Sequence, residues 1–166
     1  MLESKYLKDD LRNIQQLLAI PTLKSFETED LLKLLKLSKI RRYEDREVII
    51  REGDLDQWLY FLLSGKVRIS KKGIVIGKLE KTGDFFGEMR LIDGLSRSAS
   101  VHAEGPTICL AVNIAAKNRL APDEAMSLLV LLYKMVSEFI SIRLRLSNDN
   151  LIMAREEILR LKKAML

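Results

Sequence analysis

The chain has 166 residues, 48% apolar and 31% charged, with a net charge of +5. That length and apolar share suit one folded domain with a full core and exclude general disorder. The 28 Lys and Arg residues are spread along the chain without aromatic interleaving, which argues against nucleic-acid binding, and the single Cys109 excludes both an internal disulfide and multi-cysteine iron–sulfur ligation.

Met1 to Asp10 lacks a signal-peptide pattern, and the longest apolar run, Met126 to Leu132, is too short to span a bilayer. A cytoplasmic protein with no membrane contact is expected. From Glu3 to Ile20 the apolar positions Tyr6-Leu7, Leu11, Ile14 and Leu17-Leu18 recur at helical spacing, and Pro21 ends the pattern. A second helix is expected from about Glu27 to Ser38, with Thr28 as its N-cap. Both helices should pack on a β core. Short β-rich runs follow at Glu47 to Arg51, Trp58 to Leu63, Lys66 to Ser70, Ile74 to Leu79, Ser98 to Ala103 and Thr107 to Val112. Gly53-Asp54, Ser64-Gly65, Lys72-Gly73, Thr82-Gly83 and Gly105-Pro106 punctuate them as turns, and strands at this spacing suggest a barrel or sandwich.

After Pro122 helical periodicity returns: Asp123 to about Leu146 is strongly apolar, and a narrower stripe runs through Ile140, Leu144, Ser147, Leu151, Ala154, Ile158, Leu161 and Met165. Its alternating spacing of four and three is that of a coiled-coil seam. A homodimer through residues 140–165 is favoured over a helix folded back on its own barrel, because Arg155-Glu156-Glu157 and Lys162-Lys163 flank a seam too narrow for a buried helix. Ser147-Asn148-Asp149-Asn150, four poor helix formers, mark an expected kink or split. The expected organisation is N-terminal helices over 1–38, a β domain over 39–122 and C-terminal helices over 123–166.

Chemistry concentrates in Phe85 to Ala103, which sets Glu88 and Arg97 either side of a short helical turn. Gly87 allows backbone N–H groups to approach a ligand, and a helix opening over Glu88 to Asp93 offers N-terminal donors to an anion. Arg97 can meet two phosphate oxygens with its planar fork. Glu88, acceptor-only when ionised, suits a ribose hydroxyl and would repel phosphate, so the pair reads as a site for a phosphorylated sugar. Elsewhere His102 stands alone on a strand, Trp58 reads as core or rim packing, and Lys39-Ile-Arg41-Arg42, Lys71-Lys72 and Lys162-Lys163 read as solvated faces. No catalytic residue set or metal site is evident, and Cys109 is expected to be buried.

The segment Phe-Gly-Glu (86–88), followed by Arg97-Ser-Ala-Ser-Val101, resembles the phosphate-binding cassette of cyclic nucleotide-binding domains. Gly53-Asp54 with Trp58 to Val67, and Gly83-Asp84-Phe85-Phe86-Gly87-Glu88, resemble other family segments, and the likeness runs from about Leu23 to Leu151. Two positions depart from the pattern: Arg90, where a small residue is usual and a second cation would lie near the site, and Arg46, at a turn where Gly is common. The resemblance implies a mainly β fold with flanking α elements: a β jelly roll (double-stranded β-helix) with N-terminal helices and a long C-terminal dimerisation helix. It implies a non-enzymatic regulatory sensor in signal transduction, of bacterial type, whose ligand is cyclic AMP or cyclic GMP and which needs no other cofactor. Glu88 would take the ribose 2′-hydroxyl and Arg97 the cyclic phosphate, with Gly87, Met89, Ser98 and Ala99 completing the cradle. Arg143, Ser147 and Asn148 align with base-contacting positions, which favours cyclic AMP, whereas a hydroxyl at Ser98 occurs in binders of either nucleotide. Only some fifteen residues follow Leu151, so the chain reads either as a stand-alone sensor with an unidentified downstream partner or as the ligand-binding half of a helix-turn-helix regulator. A jelly roll kept for interaction alone, without nucleotide, is the alternative.

Overall fold

The computed structural model describes residues 1–5, 15, 17–24 and 26–164. Among these residues nine strands form: β1 (Leu2–Glu3), β2 (Ser38–Tyr43), β3 (Val48–Ile50), β4 (Trp58–Ser64), β5 (Val67–Lys71), β6 (Ile74–Leu79), β7 (Phe85–Phe86), β8 (Ser100–Ala103) and β9 (Thr107–Asn113). Helices with both ends among the described residues are α1 (Thr28–Lys36), α2 (Met89–Asp93) and α3 (Pro122–Ala164), with 3-10 turns at Pro21–Leu23 and Ile114–Arg119. Every strand pair is antiparallel, in a five-stranded sheet of order β1-β2-β9-β4-β7 and a four-stranded sheet of order β3-β8-β5-β6. This is the expected mainly β, jelly-roll-like architecture with a long C-terminal helix. The chain divides into a unit of residues 1–130, which holds all the strands, and a unit of residues 131–166.

Alternation along the strands builds the core between the sheets. Tyr43, Tyr60, Leu62, Phe86, Cys109 and Ala111 from one sheet join Ile49, Ile50, Val67, Ile69, Val101 and Ala103 from the other. Tyr60 and Phe86 stack with ring centroids 5.2 Å apart. The opposite face of the five-stranded sheet buries Leu59, Phe61, Phe85, Leu110 and Val112, and α1 contributes Leu31, Leu34 and Leu35, each 0% exposed. Cys109 is buried as expected, and burial pushes its thiol up to about 12, so it stays protonated and inert.

Several sequence expectations give way here. Glu3, the expected start of the first helix, lies on a strand instead, where Leu2 and Glu3 pair with Arg42 and Arg41 on β2. The Glu3 carboxylate there takes hydrogen bonds from Lys39 Nζ at 2.6 Å and Arg41 Nε at 2.5 Å, a strand-to-strand ion cluster that a local helix could not make. The stripe at Tyr6-Leu7, Leu11 and Ile14 lies outside the described residues, as does Met165. Strand β2 was not foreseen, because Ser38-Lys-Ile-Arg-Arg-Tyr43 reads as a solvated cationic run. Arg41 is instead turned inward, its guanidinium 3.8 Å from the Trp58 ring centroid and donating to the Tyr60 hydroxyl at 2.7 Å. Thr28 is the first helical residue of α1 rather than its cap; Glu27 holds the cap position and makes no capping bond with its side chain.

Helix α3 runs through Ser147 to Asn150 without interruption. None of the four removes a backbone donor, so the cost is only their intrinsic propensity, up to about 0.7 kcal/mol each, and the ladder survives. Judging α3 by its longest uninterrupted apolar run also understated it. An 18-residue stretch of it is long and apolar enough, by length and composition alone, to cross a membrane. Leu128, Leu132, Met135 and Val136 on this helix are buried, and core helices of proteins outside membranes reach the same length and apolar content.

Candidate ligand site at the crossover between the sheets

Strand β7 belongs to the five-stranded sheet and β8 to the four-stranded one, so residues 87–99 must cross from one to the other. Gly87 opens the crossover at φ 85°. A Cβ there would lie 2.9 Å from the Trp58 carbonyl oxygen, 2.9 Å from Arg97 Nη1 and 3.2 Å from Ile50 Cδ1, so both the conformation and the space demand glycine. Gly87→Ala is therefore expected to cost about 1–3 kcal/mol of stability. A thermal melt checks it, and an unchanged midpoint would mean the loop is free to move aside.

Glu88 follows at the N-cap position of α2, only 6% exposed. The helix lasts five residues before Gly94 ends it in the left-handed conformation at φ 67°. Arg90, expected as a second cation near the site, has its Nη1 on this terminus, donating to the carbonyls of Gly94 and Leu95, where a helix C-terminus favours positive charge. The small residue usual there could not do this.

Arg97 is 5% exposed and held on all sides. Its Nη2 and Nε donate to the two carboxylate oxygens of Asp56 at 2.6 and 3.2 Å, Nη1 to the Gly87 carbonyl at 2.7 Å, and Nη2 also to the Trp58 carbonyl at 2.5 Å. Its backbone is clamped too: Arg97 N donates to Asp54 O and Gly53 N to Arg97 O, both at 2.9 Å. The Gly53-Asp54 turn, at Gly53 φ 90°, thus fixes where the Arg emerges. Beside it Ser98 is exposed and Ala99 half-buried. Among the described residues the backbone N–H groups of Ser98 and Ala99 donate to no backbone acceptor. Met89 is 43% exposed. The crossover thus brings together Gly87, Glu88, Met89, Arg97, Ser98 and Ala99. Arg143, Ser147 and Asn148 lie in the other unit; Ser147 and Asn148 are exposed, and the Arg143 guanidinium sits 5.3 Å from the Phe139 ring centroid.

Asp56 is the residue that sequence reasoning missed. A buried guanidinium needs a carboxylate, and Asp56, two residues beyond the Gly53-Asp54 turn, was the acid to look for. Burial raises its carboxyl, but the hydrogen bonds and charge of Arg97 outweigh that and hold it below the usual range. A depressed folded-state pKa gives stability that is fully present above the unfolded value of about 3.9 and lost as pH falls through the folded value. Melting temperature should fall more steeply with acidification in the wild type than in Asp56→Asn. Identical acid limbs would show that the pair adds no pH-dependent stability.

Residues 40–121 match the family model of the cyclic nucleotide-binding domain. The chain belongs to that family. A cAMP-dependent protein kinase regulatory subunit from Eremothecium gossypii is 36% identical over 85 residues, covering 51% of this chain and 19% of that protein. A cGMP-dependent protein kinase from Toxoplasma gondii is 38% identical over 73 residues, covering 44% of this chain and 7% of that protein. The crystal structure of a cyclic nucleotide-binding domain from Methylobacillus flagellatus superposes with a TM-score of 0.67 at 25% identity, covering 84% of this chain and 82% of that one. The chain thus spans at most about a fifth of the length of these two curated relatives.

Proposed function

We propose that this chain is a regulatory cyclic nucleotide sensor that binds its ligand at the crossover and relays occupancy through α3, without catalysing a reaction. The observation that carries the reading is Arg97: a buried planar fork, pre-aimed by Asp56, next to the backbone N–H groups of Ser98 and Ala99. A cyclic phosphate would take its charge-assisted bonds there, with Gly87 and Met89 beside it. Glu88 takes the ribose 2′-hydroxyl. Arg143, Ser147 and Asn148 are the proposed base readers, and an Asn carbonyl that accepts from the adenine 6-amino group favours cyclic AMP by about tenfold, one hydrogen bond of ~1.4 kcal/mol. The relatives support either base, since one is named for cAMP and the other for cGMP. The proposed setting is a bacterial cytoplasm, as a homodimer acting on a downstream protein.

One observation favours a second reading, an interaction module without ligand: the carboxylate of Asp56 and two carbonyls already satisfy most donors of Arg97. Thermal melts with cyclic AMP, cyclic GMP and linear 5′-AMP separate the two. The sensor rises in melting temperature with the cyclic nucleotides, more with cyclic AMP, and little with the linear one. No rise with any of them would favour the module. Equal rises with the two cyclic nucleotides would remove the base-reading role of α3.

A further inference from the structure

The hairpin of β5 and β6 ends in a tip that the ligand site does not use. Lys71 to Ile76 are all exposed, and three consecutive branched apolar side chains stand in solvent: Ile74 at 70%, Val75 at 49% and Ile76 at 60% exposure. The tip is cationic as well as apolar. Between residues 66 and 81 there are six Lys or Arg and one acid, Glu80. Lys66 pairs with Glu80, while Arg68 and Lys78 share Glu104. The ammonium groups of Lys71 and Lys72 make no ion pair among the described residues. The turn itself is two residues at positive φ, Lys72 at 50° and Gly73 at 80°, the geometry of a tight hairpin turn in which Asn or Gly costs least at the first place. A Lys sits there in a left-handed conformation, its N–H bonded to Glu52 Oε2 at 2.9 Å and its side chain outward.

We propose that this tip docks on an anionic lipid surface, seating Ile74, Val75 and Ile76 at headgroup level with Lys71 and Lys72 against the lipid phosphates. Three observations select that occupant. Strand addition along the open edge of β6 is disfavoured, because the register shifts between Ile69↔Gly77 and Ser70↔Val75, leaving Ile76 as an extra residue that breaks the ladder. A second copy would bring like charges together at Lys71 and Lys72. An ordinary protein partner needs roughly 20–30 residues a side, whereas a narrow convex tip of this kind fits a fluid surface that closes around it. The negative potential of such a surface attracts juxtaposed Lys residues, and aliphatic side chains add apolar burial.

Co-sedimentation tests it with vesicles of phosphatidylcholine alone and vesicles in which about one lipid in four is phosphatidylserine. The wild-type chain is expected to pellet with the second and not the first, and to be released as salt rises to about 0.5 M. Ile74→Ser/Ile76→Ser and, separately, Lys71→Glu/Lys72→Glu should each lower partitioning about tenfold with an unchanged melting temperature, since all four positions are exposed. Helix α3 is intact in both variants, so undiminished pelleting would place the contact there and overturn the proposal. Absence of wild-type pelleting would overturn it too. Binding to soluble polyglutamate in preference to vesicles would reassign the tip to an acidic protein.

Discussion

Arg97→Ala is expected to abolish measurable nucleotide binding while the jelly roll stays folded. Truncating one partner of a buried, hydrogen-bonded charge pair costs about 2–5 kcal/mol, a loss of roughly thirty- to several-thousand-fold in affinity. The variant also strands Asp56, but that carboxylate is 34% exposed and can take water in place of the guanidinium, so the fold survives. Arg97→Lys should bind poorly as well, because one ammonium cannot meet the phosphate, Asp56 and two carbonyls together. Near-native affinity in Arg97→Ala, measured by calorimetry, would move the site away from the crossover. Glu88→Gln should weaken binding less, and a 2′-deoxy cyclic nucleotide should hardly notice the change.

The second large effect concerns α3. Leu144, Leu151, Ile158 and Leu161 are 52–59% exposed and fall on one stripe, with Ile140 half-exposed on the same line. A monomer would leave that stripe in water, whereas two copies packed along it bury an apolar seam whose spacing is that of a coiled coil. Light scattering of the wild type should give twice the 19.1 kDa chain mass. Leu161→Asp should shift it to monomer, because each dimer would bury two carboxylates facing each other with no counter-charge. A wild-type monomer at high concentration, or an unchanged mass in the variant, would rule out a homodimer held by this seam.

What could be read from the sequence divides by the range of the interaction involved. Trp58–Ser64 and Ile74–Leu79 are strands whose aromatic and β-branched runs declare themselves locally, and Gly53, Gly73 and Gly83 sit at positive φ where turns were expected. The cassette was legible because Gly87, Glu88 and Arg97 lie within ten residues of one another in sequence. The misses were long-range. Strand β2 looked solvated because its inward cations are neutralised by Glu3 and covered by Trp58, partners far away in sequence. Asp56 is 41 residues from the Arg97 it aims, so no window of sequence joins them. The two-residue strand β7 is too short to announce itself and exists because Phe85 and Phe86 pair with Phe61 and Tyr60. Arg46, a departure from the family pattern, holds φ 64° at a turn position suited to Gly.

Calorimetric titration of the wild-type chain with cyclic AMP shows whether the crossover binds a cyclic nucleotide through Arg97. The expected result is a saturable heat with one site per chain, tighter for cyclic AMP than for cyclic GMP and absent for Arg97→Ala. A flat titration of folded wild-type protein with both nucleotides would contradict it.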